Sequence, residues 1–380
     1  MASDDLKVAT SLPSNFKIAE IVPRPVAGGH VVPQPAPAPS LGPLAAFVGN
    51  FHGSGFNTIF RPNSTQTPTH LPSGPAVGDN VLELNLTSET LSFSSSLGSV
   101  PNRGMVQGDA FLNGVPYLQS ISDVTTGHPQ GIHLEPGIWV IVPPTTNPHE
   151  VTTFVRMASI PHGTTINAKG TSKTFSGPPT IPPVSITPSL LSNGQPIVFP
   201  SQTAANAGTP RIPQDLGPFI AAGTITQAML TDPNSVLRDR LVGQHVLTTT
   251  EISVSTNAVI PLIGGGTDNI AFLKPNADAV QMTATFWIET IEHTIVIPPH
   301  APNQPVHLEP SPLGSGAAGH PVPRFTLTPP AGITAGHTIK LRSTQIQYTQ
   351  TVFLNFNGLR WPHVSVATLV PGGSISVPWP

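Results

Sequence analysis

Two histidines of this chain stand where an imidazole could do chemistry. His363 lies in the stretch LRWPHVSVATL, between an X-Pro bend and a run of β-branched residues. A histidine in such an apolar strand is either a core side chain bonded to a carbonyl or a ligand to something held inside the fold. His133 lies in GIHLEPG, where an inward His133 places Glu135 inward and Leu134 outward. This pair is either a buried His–Glu contact or an acid–base group near a ligand.

A third histidine, His162, lies in ASIPHGTT at a tight turn before Gly163. It is either an exposed turn residue or a rim residue that contacts a ligand. The chain has no cysteine, which excludes disulfides, thiolate metal sites and cysteine nucleophiles. Fourteen histidines raise the question of zinc, but no H-x-H or HExxH spacing occurs. A three-histidine site assembled in space stays open, whereas a serine hydrolase lacks its G-x-S-x-G turn.

Composition narrows the class of protein. Charged residues make up only 9% of the chain and the net charge is −3, so no nucleic-acid footprint is present. The 47 prolines and 34 glycines disfavour helices and suit short strands joined by turns. The N-terminal region lacks an apolar signal segment, and no run of about 18 apolar residues occurs. We therefore expect a soluble cytoplasmic protein without a membrane partner, of undetermined oligomeric state.

Period-two alternation runs through several segments, among them VLELNLTSETLSF, AVQMTATFWIETIEH and TQIQYTQTVFLNF. Such alternation over many residues is typical of half-buried antiparallel strands. No helical pattern is long enough for βαβ units. The sequence predicts an all-β, up-and-down antiparallel barrel of about 8–10 strands, whose interior has room for one small ligand.

Proline-rich stretches divide the chain further. Residues 1–40 contain VVPQPAPAPS and read as a tail, and residues 41–380 as a single barrel domain. Two insertions are expected within this domain, at 171–243 and 294–340. The first is expected to cover one end of the fold and to carry two short helices in TQAMLTDPNSVLRDRLVG.

Four stretches resemble the nitrobindin-like haem proteins, β-barrels related in architecture to fatty-acid-binding proteins. They are, in the family's order, LGPLAAFVGNFHGSG, GIHLEPGIW, RMASIPHGTTINAKG and YTQTVFLNFNGLRWPHVSVATL. With the strands around them they cover about half of the chain. The resemblance implies that haem b is the cofactor, that His363 is the iron ligand and that His133 points into the pocket. A single axial histidine leaves the sixth iron position open.

The resemblance also suggests roles for other residues. His133 becomes a hydrogen-bond donor to an iron-bound ligand or an acid–base group near bound peroxide. His162, with Ile160 and Pro161, lies in the third stretch and can face the pocket. Arg156 is expected either to pair with a haem propionate or to form an interstrand salt bridge.

The function expected on this basis is a haem protein that acts on small oxidants, namely nitric oxide, peroxynitrite or peroxide. Peroxidase or peroxynitrite isomerase activity would fit such a site. An alternative is a non-catalytic carrier that holds an apolar molecule such as a fatty acid. A third is a structural or interaction protein whose barrel interior is filled by side chains.

Overall fold

The computed structural model describes residues 39–258, 264–313 and 320–379. The expected tail, residues 1–40, therefore lies almost wholly outside the described residues. Ten long strands run through the described part: β1 (Gly49–Pro62), β2 (Asn80–Phe93), β3 (Ala110–Asp123), β4 (Gln130–Val142), β5 (Thr153–Ile160), β6 (Thr164–Ser176), β7 (His245–Ser255), β8 (Asp278–Ile297), β9 (His337–Phe356) and β10 (Leu359–Pro371).

These strands close into an up-and-down barrel. Each pairs antiparallel with the next strand along the chain, and β10 pairs with β1 to complete the ring. The closed ring leaves no strand edge unpaired in the barrel wall. The predicted all-β antiparallel barrel is confirmed, at ten strands.

Aromatic side chains fill one end of the barrel interior. A 3₁₀ helix, Gly42–Phe47, enters this end and buries Leu44 and Phe47 completely. The Phe47 ring stacks on Phe93 with centroids 4.6 Å apart and meets the edges of Trp139 and Phe286. Apolar burial of this size is the main source of stability in a domain core. The opposite end of the interior stays open as a cavity.

The first insertion packs against the outer wall of the barrel, so the expectation that it covers one end is wrong. Leu82 and Leu84 face outward and are fully buried with insertion residues such as Ile225 and Leu237. Short strands fasten the insertion at two places: Ser189–Leu190 pairs with β10, and Arg211–Ile212 runs parallel to β2. The outer face of the barrel wall is apolar here because the insertion covers it and shields it from solvent.

Helices are short throughout. They are α1 (Gly217–Ala222), α2 (Gln227–Thr231), α3 (Ser235–Leu241) and α4 (Leu273–Ala277), and Pro200–Gln202 forms one 3₁₀ turn. The two helices expected in TQAMLTDPNSVLRDRLVG are α2 and α3, whereas α1 and α4 were not expected. Across the described ranges, none of the helices has the length and apolar character that crossing a membrane requires.

Both insertions are slightly shorter than expected, because the flanking strands continue into them. β6 extends to Ser176. β8 and β9 continue beyond the barrel as a two-stranded ribbon, in which β8 ends at Ile297 and β9 begins at His337. A small sheet packs on this ribbon around the buried Phe325. Its strands are Val306–Leu308, Arg324–Leu327 and Ser374–Ser376. The remaining short strands are His70–Leu71, Gly74–Pro75, Val100–Asn102, Thr145–Thr146, His149–Glu150 and Gly266–Asn269.

Arg211 holds the first insertion together. Its fully buried guanidinium donates to five backbone carbonyls at 2.9–3.2 Å. These carbonyls belong to Ser201, Thr203, Ala204, Asn206 and Gln214. One side chain therefore satisfies polar groups from several turns of a segment that has little regular structure.

We expect Arg211→Met to lower the free energy of unfolding by about 3 kcal/mol, because several buried carbonyls lose their donor. Urea unfolding would measure the loss, and limited proteolysis would locate new cleavage within residues 177–244. Arg103→Met is the matched control, since Arg103 is exposed and pairs only with Asp109. Equal stability of the two variants would contradict the anchoring role.

Candidate functional site: a histidine-lined cavity

A cavity of about 350 Å³ occupies the barrel end formed by α4 and the β3–β4, β5–β6 and β9–β10 turns. This volume lies at the low end of the range for small-molecule sites, about 300–1,000 Å³. Isoleucine and other aliphatic side chains supply most of the lining surface, while about half of the lining residues carry amide, hydroxyl, imidazole or charged groups. The cavity is therefore suited to a ligand that has both apolar and polar parts.

The structure brings together the three histidines that the sequence singles out. His363 comes from β10, His133 from β4 and His162 from the turn between β5 and β6, and all three line the cavity. The rings of His133 and His162 lie 5.6 Å apart between centroids. His162 is an exposed residue of the rim, where burial of part of its ring and the charge of His133 lower its pKa.

His363 is a neutral imidazole in this environment. Enclosure within the barrel, together with the nearby His133 and His162, lowers its pKa to about 3. Its Nε2 lies 2.7 Å from the Asn57 side-chain nitrogen, and the same nitrogen donates to Ser365 Oγ at 2.7 Å. At physiological pH the ring is therefore uncharged and already hydrogen-bonded.

A chain of hydrogen bonds assigns the tautomer of His363. Glu83 pairs with Arg61 and accepts from the side-chain nitrogen of Asn85 at 3.3 Å. The same Asn85 nitrogen donates to Asn57 Oδ1, so the Asn57 amide nitrogen must face His363. An amide nitrogen can only donate, which makes Nε2 of His363 the acceptor and leaves the ring proton on Nδ1.

The hydrogen bond of His133 places its ring proton on the other nitrogen, Nε2. Its Nε2 lies 3.2 Å from Glu135 Oε2, and Glu135 is completely buried. Burial opposes ionisation of Glu135, but the charge of Arg156 and the bonds from His133 and Tyr117 lower its pKa to about 2. Because the carboxylate can only accept, Nε2 of His133 carries the proton and Nδ1 is the basic nitrogen. Leu134 is exposed on the outer face, as the alternation predicts.

Arg156 does not line the cavity, and its placement there by sequence reasoning is not supported. Its guanidinium is buried, bonded to Glu135 Oε1 at 2.6 Å and to the Tyr117 hydroxyl at 2.9 Å. It forms the interstrand salt bridge that was the alternative, between β5 and β4. A third bond, to Gln350 Oε1 at 2.6 Å, connects it to a residue of the cavity wall.

A second buried carboxyl group, Glu89, lies behind the cavity and was missed in the sequence. It accepts from the Tyr348 hydroxyl at 2.6 Å, from Thr87 Oγ1 at 3.0 Å and from Gln119 Nε2 at 3.4 Å. Burial raises its pKa to about 6, although these hydrogen bonds and the charge of His133 oppose the rise. No signal in the sequence marked it, because the alternation places Glu89 on the polar face of the strand with Glu83 and Asn85, a face that is normally exposed to solvent.

Comparison with protein-family models, with curated proteins and with solved structures found no match to this chain. What defines it is its own structure, a ten-stranded antiparallel barrel with a histidine-lined cavity at one end. The resemblance to nitrobindin-like haem proteins stays a prediction. Within the described ranges, His, Asp and Glu side chains form no group of three that could hold a metal ion.

Proposed function

We propose that the barrel binds haem b through His363 and acts on small oxidants. The observation that supports this most is the neutral imidazole of His363 in a cavity that two further histidines line. A neutral imidazole is the form that donates to iron. Bound ferric haem would supply an iron position open to nitric oxide, peroxynitrite or peroxide.

Other residues of the cavity suit the same group. Aliphatic side chains such as Ile121, Ile160 and Ile166 offer apolar contact for a flat ring system. Arg61 lines the cavity and is half-buried, so it is the arginine placed to pair with a haem propionate, which was one of the two roles expected for Arg156. His133 presents a basic Nδ1 that can accept a proton, and Glu135 holds its ring in place. Asn57 competes for Nε2 of His363.

A hemin titration followed by absorption tests the proposal. We expect a stoichiometric Soret band for the native chain and its loss or shift in His363→Ala, because the axial donor is gone. Asn57→Ala should bind hemin at least as tightly, since Nε2 is then free. His307→Ala is the control, because this exposed histidine lies on the small sheet, away from the cavity, and its ring nitrogen bonds Thr326. A band that is absent, or unchanged in His363→Ala, would exclude this ligand assignment.

The second candidate is an iron-free carrier of a small organic molecule. It is favoured by the hydrogen bond that already occupies Nε2 of His363. The polar groups of the lining need partners on the ligand, which favours a molecule that carries a polar head as well as an apolar part. The cavity itself differs from the fully packed interior that a purely structural barrel predicts. In a carrier, His363→Ala would retain the ligand.

A further inference from the structure

Three carboxyl groups among the described residues line or back this cavity, those of Glu83, Glu89 and Glu135, and the first and last have an arginine partner. Arg156 neutralises Glu135 directly, with the two side chains 2.6 Å apart. Among the described residues, Glu89 forms no ion pair and is held only by Tyr348, Thr87 and Gln119. An ionised carboxylate in such a place is costly unless a positive charge comes close.

The side chains that bond Glu89 also form the cavity wall. Tyr348 donates its single hydroxyl proton to Glu89, so towards the cavity its oxygen can only accept. Gln119 is 3% exposed, and its Nε2 donates to Tyr348 at 3.0 Å and to Glu89. Its Oε1 has no partner among the described residues. His133 also lines this cavity, and in its neutral form Nδ1 is a third acceptor, because Nε2 faces Glu135.

The remaining charged groups near the cavity are already paired. Arg61 pairs with Glu83 at the rim, and Arg156 pairs with Glu135 behind the wall. Donors are present as well: Nδ1–H of His363 and the side-chain nitrogen of Gln350. These can bind an acceptor atom on another part of a ligand. His133 faces Glu135 and, when protonated, pairs with that carboxylate and not with Glu89. Glu89 is therefore the buried carboxyl group at the cavity that has no ion-pair partner among the described residues.

We propose that the cavity binds a small organic molecule with a protonated primary amine as its polar head, placed against Gln119 and Tyr348. An ammonium group has three donors and no acceptor, which matches acceptor atoms backed by a carboxylate. The aliphatic side chains of the lining accommodate the hydrocarbon part. A carboxylate head would meet acceptors and a like charge, which disfavours a fatty acid. This inference rests on the proposal that the cavity is a small-molecule site, and it specifies the ligand class of the carrier candidate.

Calorimetric titration of the full chain at pH 7.5 with hexylamine, hexan-1-ol and hexanoate tests the inference. We expect hexylamine to bind about tenfold or more tightly than hexan-1-ol, since a charge-assisted hydrogen bond contributes more than a neutral one. Hexanoate should bind most weakly. Equal binding of amine and alcohol, tighter binding of hexanoate, or no binding of any of the three would overturn the assignment.

A variant series identifies the residue responsible. Glu89→Gln keeps an oxygen that accepts from Tyr348 and should lose about tenfold or more in hexylamine affinity, with hexan-1-ol unchanged. Glu309→Gln is the control, because that carboxylate is exposed on the small sheet. Unchanged hexylamine binding in Glu89→Gln would overturn the assignment. If Glu89→Gln does not fold, the three-ligand comparison on the native chain decides alone.

The hemin titration separates this inference from the haem proposal. Amine binding by a chain that shows no His363-dependent Soret band would exclude haem and leave the amine site standing. A His363-dependent band together with equal binding of amine and alcohol would support the haem site and overturn the amine site.

Discussion

Replacing Arg156 with methionine is expected to lower the free energy of unfolding by about 3–5 kcal/mol, because it strands a buried charge. Glu135 is 0% exposed and relies on the guanidinium at 2.6 Å. The change also removes the donor to Gln350 and the cation that lies over the rings of Tyr117 and Phe286. Urea unfolding at pH 7 measures the loss.

The pH dependence of the unfolding free energy distinguishes a stranded Glu135 charge from a simple packing defect. In the native chain the pKa of Glu135, about 2, lies below its ordinary value of 4.5. Its ionised form therefore stabilises the fold above pH 4.5, and this contribution is lost as the pH falls towards 2. In Arg156→Met the carboxyl group prefers its proton in the folded state. The unfolding free energy of the variant should thus rise between pH 7 and pH 5.

Two further variants control this experiment. Arg324→Met removes an exposed arginine that pairs with Glu309, and it should cost less than about 1 kcal/mol. The double variant Arg156→Met with Glu135→Gln should recover much of the loss, because no charge is left uncompensated. A single variant as stable as the double one would show that the Glu135 charge is not what Arg156 compensates.

Replacing Glu289 with glutamine is expected to stabilise the protein at alkaline pH. Glu289 is 0% exposed on the outer face of β8, beneath the first insertion. Gln345 donates to its Oε2 at 2.8 Å and also bonds Gln244 of the insertion, whereas Oε1 has no partner among the described residues. Burial raises the pKa of Glu289 to about 8, and the Gln345 bond only partly opposes this.

The sign of the effect follows from the two protonation states. Between the ordinary value of 4.5 and about 8, the folded chain holds a proton that the unfolded chain has lost. The unfolding free energy of the native chain should therefore fall as the pH rises through this window, on the order of 3–5 kcal/mol in total. Glu289→Gln removes this contribution and should be the more stable protein at pH 9.

Chemical unfolding of both chains from pH 5 to pH 9 makes the comparison. Glu309→Gln, which changes an exposed carboxylate, should leave the pH profile unchanged. Parallel profiles for the native chain and Glu289→Gln would mean that Glu289 ionises in the folded state without cost. Such a result would also argue against a dry contact between the insertion and the barrel wall.

The barrel and the histidines of its cavity could be predicted from the sequence. Period-two alternation is a direct consequence of strand geometry, so antiparallel strands could be read without tertiary information. His133 and His363 stood out because an imidazole is unusual in apolar strands. Asn57 and Gln119 did not stand out, because polar residues in alternating strands are ordinary. Their importance depends on partners from other strands, such as His363 and Tyr348.

Which face of each strand points into the barrel depends on tertiary contacts and could not be predicted from the sequence. Leu82 and Leu84 form the apolar face of β2, yet they point outward, and Glu83 and Asn85 line the cavity. The physical reason is that the insertion covers the outer wall, so both faces of the strand are buried and alternation no longer identifies the inside. The pairing of Arg156 and the tautomer of His363 were decided in the same way. Each depends on contacts between residues distant in sequence, which local patterns do not record.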